Sequence, residues 1–234
     1  VFTAQGPTFG ELCVQALSSV ERGYDLLAPK FDHTPFRTPR SILDATAAAL
    51  GEWGPFEDGL DVCCGTGAGM LALRPVCDGR ITGVDFSAGM LAQARAAHPD
   101  AAWVRADARA LPFAAGFDLA VSFGAFGHFL PRERPAVFEG IHRALRPGGL
   151  FAFAIAAPLS LTSPAYWVEA GFDLVMRVRN AVWRPPFVMY YRTMPLGAVR
   201  ADLTAAGFEV TVKSLGDARW GLILARKPVG SGHV

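Results

Sequence analysis

What most constrains this chain is a change of rhythm at Gly59. From there, short apolar runs (60–64, 80–84, 101–105, 117–123 and 150–156) alternate with stretches of helical spacing at 68–74, 87–97 and 132–146. A strand covered on both faces reads as an unbroken apolar run, because neither side of its pleat meets water. Strands separated by helices are not hairpins, so the alternation predicts an α/β fold with a parallel, doubly wound sheet. The tail behaves differently: 196–206 reads as a helix, 208–214 as a strand, and 219–226 as a strand after the Gly216-Asp217 turn. So short a gap holds no crossover helix, so these two strands, as neighbours, pair antiparallel. The expectation is a mostly parallel sheet with one antiparallel C-terminal strand at its end.

Ahead of the alternation, 8–27 has the spacing of one helix, with Leu12, Ala16, Val20 and Tyr24 on a face. Thr38 can cap a second helix, with Pro39 in its first turn, Ile42, Leu43, Ala47 and Leu50 as its apolar stripe, and Gly51 as its stop. Residues 157–195 fit neither pattern. They combine Trp167, Phe172, Trp183, Phe187, Tyr190 and Tyr191 with five prolines, and read as an inserted lid or a dimer contact. The organisation expected is an N-terminal helical cap (1–55), a core (56–156 and 196–228) and the lid (157–195).

Composition narrows the partners. At 51% hydrophobic and a mean hydropathy of +0.27, the chain can fill a core, yet no apolar run approaches the roughly 18 residues of a membrane span. Twenty-two basic residues against 21 acidic ones create no field that would draw the chain onto nucleic acid or an anionic membrane. Cys63 and Cys64 are adjacent, and Cys13 and Cys77 sit in apolar surroundings, so all four read as reduced core residues of a cytoplasmic chain. A zinc site would want a CxxC pair or a histidine at ligand spacing, and neither is there, so no metal is expected. The first ten residues have no basic stretch or long apolar core, and the start at Val1 leaves room for residues ahead of it.

The strongest local signal is Asp61-Val62-Cys63-Cys64-Gly65-Thr66-Gly67-Ala68-Gly69, a strand running into a glycine-rich turn that opens a helix. Such a turn lets backbone N–H groups approach a ligand closely. A dinucleotide fingerprint would place glycine where Met70 stands, so a nicotinamide-dependent oxidoreductase is the alternative reading rather than the first. Asp85 ends the next strand and can accept both ribose hydroxyls of a nucleoside, while Ser87 can cap the following helix. Asp107 follows the third strand on the same edge and can accept from an adenine amino group.

DVCCGTGAG, GVDFSAGML, ADARALPF, FDLAVSFGAFGHF and RALRPGGLFAF, in this order and spacing, resemble the class I S-adenosylmethionine-dependent methyltransferases, near the ubiquinone/menaquinone C-methyltransferase branch. The resemblance covers about 56–156 and, in topology, 196–226. It implies seven strands and S-adenosyl-L-methionine as cofactor. Cys64, Gly65, Thr66 and Gly67 would approach its methionine and ribose parts, Asp85 the ribose hydroxyls, Phe86 and Met90 the adenine, and Asp107 and Ala108 the adenine edge. Phe123 and Gly124 would face the methyl donor, and the 145–149 turn would be structural. Tyr24 through Asp32 resembles a segment folded over the cofactor, with Phe31 where the family often has tyrosine. Aromatic faces there attract a sulfonium cation by about 0.5–2 kcal/mol.

A sulfonium methyl is already activated, so the protein has chiefly to align and to exclude water, worth up to about 7–11 kcal/mol. A base is needed only where the acceptor must lose a proton, and His128, just past the fourth strand, is the histidine placed for it. The acceptor expected is a small molecule. Phe31, Trp183, Tyr190 and Arg192 are the substrate-side candidates, and Arg177 and Arg179 read as a solvated helix face. A cofactor-binding module without chemistry, its lid self-associating, is the remaining alternative.

Overall fold

The computed structural model describes residues 5–34, 36–156, 159–183, 195–215 and 220–230. Seven strands form one sheet: β1 (Gly59–Val62), β2 (Ile81–Asp85), β3 (Ala102–Arg105), β4 (Phe117–Val121), β5 (Leu145–Ala156), β6 (Glu209–Ser214) and β7 (Trp220–Arg226). Their order is β3-β2-β1-β4-β5-β7-β6. β1 to β5 pair in parallel, and β7 is antiparallel to both β5 and β6. The antiparallel strand is therefore not at the sheet's end: it sits inside, with β6 as the edge. The chain leaves β1 toward β2 and β3, then returns to β1's other side with β4. That reversal opens a crevice at the carboxyl ends of β1 and β4, where doubly wound sheets bind ligands.

Consecutive strand residues supply the two faces of the sheet. Phe151 and Phe153 lie in one buried cluster with Phe126 and Phe138, while Leu150 and Ala152 lie in the other with Leu119, Leu50 and Leu73. Phe138, Phe151 and Phe153 are essentially inaccessible, and burying each contributes about 1.5–3 kcal/mol. On the opposite edge from the crevice, Arg146 reaches Asp58 at 2.8 Å and Asp118 at 2.6 Å. The 145–149 segment is thus structural, but it belongs to β5, whose register slips between the Phe117–Leu145 and Leu119–Leu150 pairs.

The helices correct several expectations. Residues 8–27 are two helices, α1 (Phe9–Leu17) and α2 (Val20–Leu27), because Ser18 is extended and Ser19 caps α2 by accepting from the Arg22 amide. The apolar spacing continues across this break and so hides it. Cys13, expected inside, is exposed on α1. A 3-10 segment, Ala28–His33, leads to α3 (Arg40–Leu50), whose cap position is Pro39 with no side-chain bond, so Thr38 does not cap it. α4 (Met70–Leu73), α5 (Ala88–Ala97), α6 (Arg134–Ala144) and α8 (Leu196–Ala205) stand near their expected places.

The inserted segment holds a 19-residue helix, α7 (Pro164–Val182). Phe172 and Met176 pack inward on Val20 and Leu130, while Trp167, Val168, Leu174 and Val178 face out. Apolar residues on both faces leave no single stripe, so its periodicity is obscured. Arg179, expected on a solvated face, is half-buried and donates to the Ser18 carbonyl at 3.1 Å, tying α7 to the cap. Among the described residues no helix is long and apolar enough to cross a membrane.

Trp103 lies flat over Gly83 of β2, so that a Cβ there would stand 2.3 Å from the indole ring and 3.0 Å from Cys64 Sγ. Gly83→Ala is expected to cost about 1–3 kcal/mol of stability through overpacking. An unchanged urea midpoint would show that the indole is free to move.

Candidate functional site

At the carboxyl edge of the sheet, β1 leaves Val62 through Cys63, which holds a left-handed φ of 56°, followed by positive φ at Gly65 and Gly67. A side chain with a Cβ is strained in that region, so the turn at Cys63 is held by its surroundings. Two hydrogen bonds from backbone amides hold it: Cys64 N donates to the Val84 carbonyl at 3.0 Å, and Gly65 N donates to Asp85 Oδ2 at 2.9 Å. Asp85 Oδ1 accepts from Ser87 N at 2.9 Å, and Ser87 Oγ in turn caps α5 at the Met90 amide. The acid expected to meet a ribose thus also joins the glycine turn to the start of α5. With about four acceptor sites, the carboxylate has capacity beyond the Gly65, Ser87 and Phe86 amides for a ligand.

Asp61, one strand away and 1% exposed, had no role in the sequence reading. Its carboxylate lies so close under Gly69 that a Cβ there would be 2.3 Å from Oδ2, and Oδ2 has no hydrogen-bond partner. Burial, reinforced by the Asp85 charge and only partly opposed by the Gly69 amide, pushes its carboxyl up to about 8. Burial also raises Asp85, with the Ser87, Gly65 and Phe86 amides working against it and Asp25 adding to it. An acid within an apolar strand, Leu60-Asp61-Val62, was the signal that could have found this residue.

The cap closes over these groups. Asp25 accepts from Ser87 Oγ at 2.6 Å and from Gly89 N at 2.8 Å, and Thr66 Oγ1 donates to Asp32 Oδ1 at 2.7 Å. Arg105 pairs with Glu21 at 2.8 Å. Beside the Thr66–Asp32 bond is a cleft of about 270 Å³ lined by Asp32, Thr34, Arg37, Thr38, Arg40 and Leu71, among others. Tyr24 Oη lies 2.7 Å from His128 Nε2, so the cap's tyrosine reaches the candidate base.

The remaining site residues fall as follows. Cys64, Thr66 and Met90 are buried in the floor, with Phe86 half-buried above β2. Asp107 caps the short Ala108–Ala110 turn and is gripped by Arg109, whose Nε is 3.0 Å from both its oxygens. Burial works to raise the Asp107 carboxyl, but the bonds from Arg109 outweigh it and the net shift is downward. Phe123 packs on the buried cluster below it, and Gly124 turns outward with φ 72°. Phe31 stands edge-on to Tyr24, centroids 6.0 Å apart. Trp183 is half-exposed at the end of α7, and Tyr190 and Arg192 lie outside the described residues. Among the described residues no three ligand side chains gather as a metal site.

Residues 60–149 match a family described as a methyltransferase domain. The trans-aconitate 2-methyltransferase of Azoarcus sp. (strain BH72) is 35% identical over 175 residues, 69% of this chain and 66% of that one. The demethylmenaquinone methyltransferase of Beutenbergia cavernae is 39% identical over 120 residues, 49% of this chain and 45% of that one. The chain spans about half the length of the curated relatives it matches. In fold it is similar to DhpI in its complex with SAH, with a TM-score of 0.65 at 20% identity, covering 94% of this chain and 99% of that one.

Asp61 generates a test of the electrostatics. Between the ordinary 3.8 and about 8 the folded chain keeps a proton that the unfolded chain releases. Stability is therefore lost as pH rises through that window, and Asp85 acts in the same direction. Asp61→Asn removes the charge, so its urea midpoint should match the wild type below about pH 4 and exceed it increasingly from there toward pH 8. A pH-independent difference would dismiss the buried charge as the cause.

Proposed function

Since the chain belongs to the class I S-adenosylmethionine-dependent methyltransferases, we propose that it transfers a methyl group from S-adenosyl-L-methionine to a small-molecule acceptor. The observation that carries this reading is the pinched turn at Cys63–Gly67 bonded to Asp85 beneath the cap. The residues fit that cofactor chemically. It carries a sulfonium and an ammonium, and the buried acids Asp61 and Asp85, with Asp25 above them, form a setting that a cation relieves.

The assignments follow the edge. Cys64, Gly65, Thr66 and Gly67 take the methionine and ribose parts, Asp85 the ribose hydroxyls, and Phe86 and Met90 the adenine. Ala108 lines the adenine edge, and Asp107 serves it while sharing its oxygens with Arg109. Arg37, in the cleft beside Thr66, has the charge to hold the methionine carboxylate. Phe123 and Gly124 face the transferring methyl. The cofactor brings an activated methyl, and the protein contributes alignment, water exclusion and a base at His128.

The acceptor enters beneath residues 157–195, with Phe31 on the cap side and Trp183, Tyr190 and Arg192 from the insertion. The outward apolar face of α7 supports that insertion as a homodimer contact. The near-even charge supports a small acceptor rather than nucleic acid, and the unpaired cysteines support a cytoplasmic setting.

Calorimetry tests the reading directly. S-adenosylmethionine should bind and NADH should not, and Asp85→Asn should weaken binding about 10–100-fold, since one lost hydrogen bond to a charged group is worth about 1.5–3 kcal/mol. Asparagine keeps one acceptor, for the Ser87 amide but not also for Gly65, so circular dichroism should show an intact overall fold with only the glycine turn loosened. NADH binding, or equal affinity in the variant, would refute the assignment.

A further inference from the structure

The fold gives the Tyr24 hydroxyl to His128, 104 residues away, rather than leaving it to the cofactor alone. Oη and Nε2 are 2.7 Å apart, with the rings edge to face at 5.2 Å and 89°. Neither partner is a loose surface rotor. Tyr24 is flanked by Phe31 and is followed by Asp25, anchored on Ser87 and Gly89. His128 closes the Phe126–His128 turn, and Phe126 is set in the aromatic core with its centroid 4.7 Å from that of Phe153. The pair is preorganised on the edge to which the methyl acceptor must come.

We propose that Tyr24 and His128 form a proton relay and that the acceptor is a phenol or enol whose O–H has to be ionised. This rests on the methyltransferase reading above. A carboxylate acceptor is already an anion near neutral pH and requires no base, whereas a phenol with a pKa of about 10 is ionised in only about one molecule in a thousand. Because Nε2 already faces the Tyr24 hydroxyl, the acceptor's proton arrives through Oη. The acceptor hydroxyl gives its proton to Oη while the proton of Oη passes to Nε2, leaving imidazolium. The acceptor oxygen then forms its bond to the methyl carbon as the carbon–sulfur bond breaks and its electron pair stays on sulfur. The positive charge lost at sulfur reappears as the proton on His128, which solvent removes. The relative named for trans-aconitate suggests a carboxylate acceptor, and the Tyr24–His128 pair favours the protic class instead.

Tyr24→Phe tests this with readouts that do not depend on turnover alone. In ¹⁵N spectra of the chain with S-adenosylhomocysteine, His128 should be the Nδ1–H tautomer with Nε2 accepting, and the variant should lose that preference. An Nε2–H tautomer in the wild type would overturn the relay. With radiolabelled S-adenosylmethionine, 1,4-dihydroxynaphthalene should be methylated and trans-aconitate should not. The variant should lose about 100-fold or more in kcat, the usual span of acid–base catalysis, while calorimetric affinity for S-adenosylmethionine changes less than about threefold. Unchanged kcat, methylation of trans-aconitate alone, or a loss confined to cofactor affinity would each overturn the proposal. Failure of the wild type to bind S-adenosylmethionine would count against the methyltransferase reading itself.

Discussion

The Asp85 carboxylate is the joint on which the site depends. One oxygen holds the Gly65 amide at the end of β1, the other holds the Ser87 amide at the start of α5, and both lie almost out of reach of solvent. Hydrogen bonds to a charged group contribute about 1.5–3 kcal/mol each, which offsets part of the penalty of burying the charge. Without them the left-handed Cys63 and the glycine turn would have little to hold them open. The same joint raises the electrostatic cost of the neighbourhood, because Asp61 and Asp25 crowd the same edge. A crevice arranged this way is more favourable with a cation in it than without.

The cap and the inserted segment stand on different physical footings. The cap is stitched to the core by polar bonds: Asp25 to Ser87 and Gly89, Asp32 to Thr66, Glu21 to Arg105, Tyr24 to His128. These bonds are short-range and directional, so the cap positions groups. Among the described residues α7 packs Met176 and Phe172 against Val20 and Leu130, and its Arg179 donates to the Ser18 carbonyl.

Much of the core was legible because its signals are local. Unbroken apolar runs mark strands buried on both faces, and β1 through β4 fall within a few residues of where those runs lie. Ser87 caps α5 as its position before an apolar stripe implies. Where local signals compete, they mislead. Apolar spacing crosses the Ser18–Ser19 break and conceals it. Thr38 has the chemistry of a cap but Pro39 takes the position. β5 begins at Leu145 because its partner β4 offers a bond there through a register slip, which no glycine-rich segment announces.

The amino-acid sequence by itself determined the sheet's parallel winding, the glycine turn after β1 and the acid ending β2, since each follows from neighbours within one strand, turn or helix. Only the tertiary structure decided that β7 lies inside β6, that Asp61 is buried beneath Gly69, and that Tyr24 meets His128. Those juxtapositions join residues tens of positions apart, and they exist only once burial of the two apolar faces has fixed which elements pack together.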